Sequence, residues 1–93
     1  MKTIRQQMVT LLSRDQQSAR DLSVALKIRE KEVYDHLSHI KRSLALQKTK
    51  LRVQPAHCLE CGYVFADRAR LTKPSKCPRC KGTHIEDPRY RVL

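Results

Sequence analysis

The most specific chemistry in this sequence belongs to four cysteines: Cys58-Leu59-Glu60-Cys61, fifteen intervening residues, then Cys77-Pro78-Arg79-Cys80. Two residues between thiols suit a tight knuckle whose backbone N–H groups turn toward the sulfurs. Four thiolates fill a tetrahedral zinc shell and leave no open position for water or substrate. Gly62 and Gly82, the only glycines, lie just past the two pairs and are expected to supply the positive φ such turns require. His57 and His84 flank the pairs, but with four thiolates the shell is complete, so both are expected at the surface or behind the ligands. The expected site is one structural zinc held by Cys58, Cys61, Cys77 and Cys80.

Three rival chemistries compete with zinc for these cysteines. Two disulfides would suit an oxidising compartment, but Met1-Lys2-Thr3-Ile4-Arg5-Gln6-Gln7 lacks the apolar stretch of an export signal. A thioredoxin-like redox pair needs a βαβ setting, which is missing. The run Cys58-Leu59-Glu60-Cys61-Gly62-Tyr63 resembles a rubredoxin knuckle, which would imply iron and electron transfer. Rubredoxins are generally acidic and aromatic-rich with a longer gap between knuckles, whereas this segment is basic with a shorter one; zinc fits better. The carboxylates are scattered, no Ser–His–Asp or Cys–His pairing stands out, and the zinc shell is saturated. No enzymatic activity is expected.

The rest of the chain explains why a metal would be needed. Its 93 residues make one ordinary domain or two very small ones, with three Tyr, one Phe and no Trp. A segment of about 40 residues seldom folds on its own apolar core. Twenty Lys and Arg stand against nine Asp and Glu, a formal charge of +11. A zinc ion with four thiolates adds −2, leaving about +9. A positive field of this size attracts nucleic acid or an anionic membrane surface. No run of about 18 apolar residues is present, so the reading is a cytoplasmic protein with no membrane partner.

Helical spacing sets Ile4, Met8, Leu11 and Leu12 on one face of a first helix over 3–13, opened by a Thr3/Gln6 capping box. Residues 13–17 read as a polar connection. Ser18 and Asp21 open a short second helix packing Ala19, Leu22, Ala25 and Leu26, and Lys27-Ile28 is a tight link. A third helix over 29–46 buries Val33, Leu37, Ile40 and Leu44 and turns Lys31, Asp35, Ser38, His39 and Arg42 outward, with Tyr34 and Lys41 on its flank. Period-2 patterns at 50–54 and 89–92 read as strands.

The stretch Ser18-Ala19-Arg20-Asp21-Leu22-Ser23-Val24-Ala25-Leu26, with Lys31-Glu32-Val33-Tyr34-Asp35-His36-Leu37 and Ile40, resembles a winged-helix transcriptional regulator. Joined to the cysteine tail and to Leu71-Thr72-Lys73-Pro74-Ser75-Lys76-Cys77-Pro78, the whole chain resembles the small predicted regulators, chiefly archaeal, that fuse a winged helix-turn-helix to a zinc ribbon. The resemblance implies an α+β fold with a DNA-binding domain over 1–53 and a ribbon over 54–93, the last strand returning to complete the wing. Two departures stand out. Lys27 occupies a link position that often carries Gly, where positive φ would cost about 1 kcal/mol. Arg29 opens the third helix in place of a capping Ser or Thr.

Function follows as a DNA-binding regulator with double-stranded DNA as partner, acting alone or as a homodimer. Arg29, Lys31, Tyr34, Asp35, Ser38 and His39 are candidates to face bases; Lys41, Arg42, Lys48, Lys50 and Arg52 would hold phosphates. One alternative is a basic RNA- or ribosome-associated module in which Tyr63 and Phe65 stack on bases. Another is an adaptor of the transcription machinery whose ribbon (Arg68, Arg70, Lys73, Lys76, Arg79, Lys81) binds an acidic protein.

Overall fold

The computed structural model describes residues 2–66 and 70–93. Three helices come first: α1 (Ile4–Arg14), α2 (Ala19–Leu26) and α3 (Glu30–Leu46), with a two-residue strand β1 (Gln17–Ser18) between α1 and α2. They are followed by β2 (Leu51–Gln54), β3 (His57–Cys58), β4 (Ile85–Glu86) and β5 (Arg89–Val92). Both capping boxes are formed. The Thr3 hydroxyl accepts from the Gln6 N–H while Gln6 Oε1 accepts from the Thr3 N–H, and Ser18 and Asp21 do the same at α2. Each box satisfies two N–H groups that a helix start would otherwise leave without partners. Arg29 caps α3 without any side-chain bond. Lys27 ends α2 in the left-handed region at φ 57°, and the Ser23 hydroxyl fastens the turn by donating to the Ile28 carbonyl at 2.7 Å.

β5 is the centre of a three-stranded antiparallel sheet in the order β1-β5-β2. The polar connection expected at 13–17 therefore ends in a strand, because Gln17 and Ser18 find open backbone groups on Tyr90 and Arg89. Residues 55–88 leave and re-enter between the paired strands β2 and β5, and β3 with β4 forms a separate two-stranded sheet at the base of that excursion.

The larger core joins Met8, Leu12, Ala19, Leu22, Val33, Leu37, Ile40 and Leu44 to Tyr90, which is fully buried although it lies beyond the cysteines in sequence. One expectation needs correction. Ala25 is exposed, since an eight-residue helix presents little more than Ala19, Leu22 and Leu26 to its neighbours. Val53 keeps 36% of its surface in solvent, so the inward face of β2 rests mainly on Leu51. A smaller core of Ala56, Cys58, Cys77 and Ile85, with Tyr63 and Phe65 against it, surrounds the cysteines. Among the described residues, no helix is long and apolar enough to cross a membrane.

Candidate metal centre and nucleic-acid interface

The two cysteine pairs are built on the same backbone plan. In the first knuckle the Gly62 N–H donates to the Cys58 carbonyl at 2.9 Å and the Cys58 N–H to the Tyr63 carbonyl at 2.8 Å. In the second, Lys81 N–H donates to Cys77 carbonyl at 2.9 Å and Cys77 N–H to Gly82 carbonyl at 2.9 Å. The fourth residue after the leading cysteine takes positive φ in both, Gly62 at 80° and Lys81 at 65°. The expectation that Gly82 supplies this turn is therefore corrected: Lys81 does. Gly82 is small for another reason, since a Cβ there would meet the Glu60 carboxylate and stand 3.2 Å from Cys80 Sγ.

The knuckles face each other with all four sulfurs within 4.8 Å of one another, Cys58 to Cys80 at 3.5 Å and Cys61 to Cys77 at 3.6 Å. A tetrahedron with zinc–sulfur bonds of about 2.3 Å has edges of about 3.8 Å. The sulfurs are thus spaced for one zinc ion and too far apart for disulfides. The N–H groups of Arg79 and Gly82 lie 3.4 Å from the sulfurs of Cys77 and Cys80 respectively.

Proton affinities within the cluster diverge. The Cys61 N–H, opposed by burial and aided by the Glu60 N–H, holds the Cys58 thiol below its ordinary value. Burial works to raise Cys77, but the N–H groups of Cys80 and Arg79, with the sulfurs of Cys61 and Cys80, bring it down to about 7. The Tyr63 N–H favours the Cys61 thiolate and is outweighed by burial and by Cys77 and Cys58, which raise it. The Gly82 N–H likewise favours the Cys80 thiolate, yet Cys58, burial, Cys61 and Cys77 push it up to about 12. Four thiolates this close repel one another, and a divalent cation among them is what lets all four give up their protons. Cys58, Cys61, Cys77 and Cys80 are positioned to bind one zinc ion, which closes the shell and holds the two knuckles together.

Neither histidine reaches the sulfurs. His84 is exposed with Nδ1 3.2 Å from Glu60 Oε1, and His57 is exposed opposite Glu86. Tyr63 and Phe65 meet edge to face, ring centres 5.0 Å apart at 86°, against the cysteine core.

The two halves of the chain match two family models end to end. Residues 3–52 match the one described as PF0610-like, N-terminal, and residues 55–93 match the PF0610 rubredoxin-like zinc beta-ribbon domain. The chain belongs to the PF0610-like family. The solution NMR structure of protein PF0610 from Pyrococcus furiosus is similar over 97% of this chain and 88% of that one, at 31% identity and a TM-score of 0.83. Among curated proteins nothing matches.

The candidate nucleic-acid residues of the PF0610-like body fall into separate groups. Lys31, Asp35, Ser38, His39 and Arg42 form one exposed stripe on α3, with exposed Arg29 at its start. Tyr34 does not stand free with them. It is half-buried, its hydroxyl accepting from the Lys73 N–H at 3.4 Å, because a ribbon arm over residues 70–73 lies along that flank of α3. Burial raises the Tyr34 phenol above its ordinary 10.0, against the lowering effect of that bond.

Arg70, Leu71 and Thr72 of the arm share a cleft with Tyr34, Ser38, Lys41, Arg42 and Ala45, and the Tyr90 hydroxyl donates to the Leu71 carbonyl. Lys73 closes the arm through an ion pair to Asp87 at 2.8 Å. Lys48, at φ 58°, and Lys50 lie in the turn between α3 and β2, away from the α3 stripe in the chain. Arg52 sits on the sheet opposite Arg91 and shares a cleft with Arg91 and Arg89, neither of which is among the candidates named from the sequence. Their alternation around Tyr90 was a legible signal that they share a face. Arg68 lies outside the described residues.

Proposed function

We propose that this protein is a cytoplasmic, non-enzymatic DNA-binding transcriptional regulator, built as a winged helix-turn-helix whose third helix reads the major groove. One observation carries the reading. α2 and α3 are joined by the tight Lys27 turn, and β5 returns between β1 and β2, so the hairpin β2/β5 stands where a wing would. This arrangement leaves the polar stripe of α3 free along a helix of 17 residues, about 26 Å long. Glu30 and Glu32, which would repel phosphates, sit in the first turn of α3, where the helix dipole favours them. Asp35 can accept from a base amino group, while Ser38 and His39 can address base edges. Lys31 can likewise donate to a base edge, and Lys41 and Arg42 then serve the backbone. The ribbon adds a basic arm beside the reading helix, and Arg70 lines the same cleft as Arg42.

Selection from a random duplex pool by zinc-loaded protein is expected to enrich a motif. Replacing Ser38 or His39 is expected to change that motif at about 1–3 kcal/mol, while Lys41→Gln weakens all sites alike. Affinity should fall steeply between about 50 and 200 mM salt. A pool that enriches no motif, or a structured RNA that outcompetes every duplex, would overturn the reading. The RNA alternative has less support, since Tyr63 and Phe65 are engaged in the ribbon core.

A further inference from the structure

Side chains alternate across a strand, so burial of Tyr90 against the helices turns Arg89 and Arg91 to the other face of the sheet. Antiparallel pairing puts Arg52 directly opposite Arg91 and Gln54 directly opposite Arg89. Together with Gln16 at the entrance to β1, these side chains line a cleft of about 470 Å³ bounded by Val53 and Pro55. No residue of α3 contributes to it, and Tyr90 lies between this face and the helical core.

Two features separate the cleft from an ordinary solvated sheet face. Like charges directly opposite each other across antiparallel strands destabilise the pair. Here Arg52 and Arg91 are such a pair, and among the described residues neither forms an ion pair with a carboxylate. Among the described residues the one ion pair to these guanidiniums is Glu86, 3.6 Å from Arg89. In addition, every charged group lining the cleft is a guanidinium, and the other polar side chains are amides that can donate. Paired positions lie about 5 Å apart and alternate positions about 7 Å apart, so the three guanidiniums rise from a patch the size of one or two phosphate groups.

We propose that Arg52, Arg89 and Arg91, with Gln16 and Gln54, form a phosphate-binding site on the back of the sheet, distinct from the α3 surface. Guanidiniums bind phosphate oxygens in bidentate fashion, which lysine cannot reproduce. The ligand's phosphate comes either from a free phosphate ester or from a second nucleic-acid backbone. The cleft opens on the face of the sheet turned away from Tyr90 and the helical core, and no α3 side chain lines it. The site does not depend on the α3 reading, and its test is separate.

The test is an NMR titration of the zinc-loaded protein with inorganic phosphate at constant ionic strength, following the arginine Nε–Hε signals. Saturable shifts are expected at Arg52, Arg89 and Arg91. The double variant Arg52→Lys/Arg91→Lys should weaken binding about tenfold or more with charge unchanged, while Lys76→Gln leaves it as it was. A blunt duplex without terminal phosphates, titrated in parallel, identifies the source. Shifts of the same three signals, lost in the double variant, mean a backbone; their absence means a free phosphate ester. Arg91→Gln provides a second readout, since removing the like-charge pair should raise Tm in chloride and reduce the gain in Tm from added phosphate. Shifts spread evenly over all cationic side chains, or a lysine variant that binds like the parent, would overturn the proposal.

Discussion

Removing the zinc ion is expected to weaken the helical body, although no cysteine touches it. The body's core needs Tyr90, and Tyr90 arrives only after the chain has passed through the ribbon. With the ribbon folded, Gln54 and Arg89 are paired neighbours, so β2 and β5 meet as cheaply as across a hairpin loop of about four residues. Without zinc, residues 55–88 become a flexible loop of about 34 residues, roughly three doublings longer at about 0.6 kcal/mol each. Closing it costs the body about 2 kcal/mol. Loss of the arm, with its Tyr90-to-Leu71 hydrogen bond and the packing of Leu71 on the core, adds about 1 kcal/mol. Urea unfolding followed by far-UV circular dichroism reads the body selectively, because all three helices lie within residues 4–46. Chelated protein should keep its helices without urea and unfold with a free energy about 3 kcal/mol smaller. A change below about 1 kcal/mol would mean β5 is held without help from the ribbon. Complete loss of helix on chelation would mean the coupling goes beyond loop closure; either result refutes the reasoning.

Further outcomes follow from single positions. Lys27→Gly should raise stability by about 1 kcal/mol in the same urea assay, since a Cβ at φ 57° is strained and Gly is not. Gly82→Ala should weaken zinc roughly tenfold in a competition titration with a chromophoric chelator, because the new methyl crowds Cys80 Sγ and the Glu60 carboxylate behind it. The raised Tyr34 phenol favours the folded state in its protonated form. Its contribution is fully present below pH 10 and is lost as pH rises through the raised value. Between neutral pH and strong alkali, the parent protein should therefore lose more stability than Tyr34→Phe, measured by thermal unfolding across that range.

Several features were legible in the residues because their causes are local. The CxxC spacing specifies a metal knuckle whatever surrounds it. A capping box needs only Thr3 with Gln6, or Ser18 with Asp21, and the stripe of α3 follows from 3.6 residues per turn. Lys27 in the left-handed region is what the resemblance implies, since that link position often carries Gly. Gly82 does not supply the second turn, because the positive φ belongs to the fourth residue after the leading cysteine. Two residues past the second pair, Gly82 lies where a Cβ would stand 3.2 Å from the Cys80 sulfur.

By itself, then, the sequence determined the zinc ligands, the three helices, and which α3 side chains face outward; knuckles and helices are set by spacings shorter than about seven residues, and fifteen residues separate the two knuckles. The tertiary structure alone decided that β1 exists, since a two-residue strand forms only where β5 offers it backbone partners. It also decided that Tyr90 completes the helical core and that the ribbon arm takes Tyr34 out of the α3 stripe. Arg52 meets Arg91 only because the register joins strands separated by the whole ribbon. No local pattern carries that information, because a register across 34 residues is set by the packing of both ends and not by the residues between them.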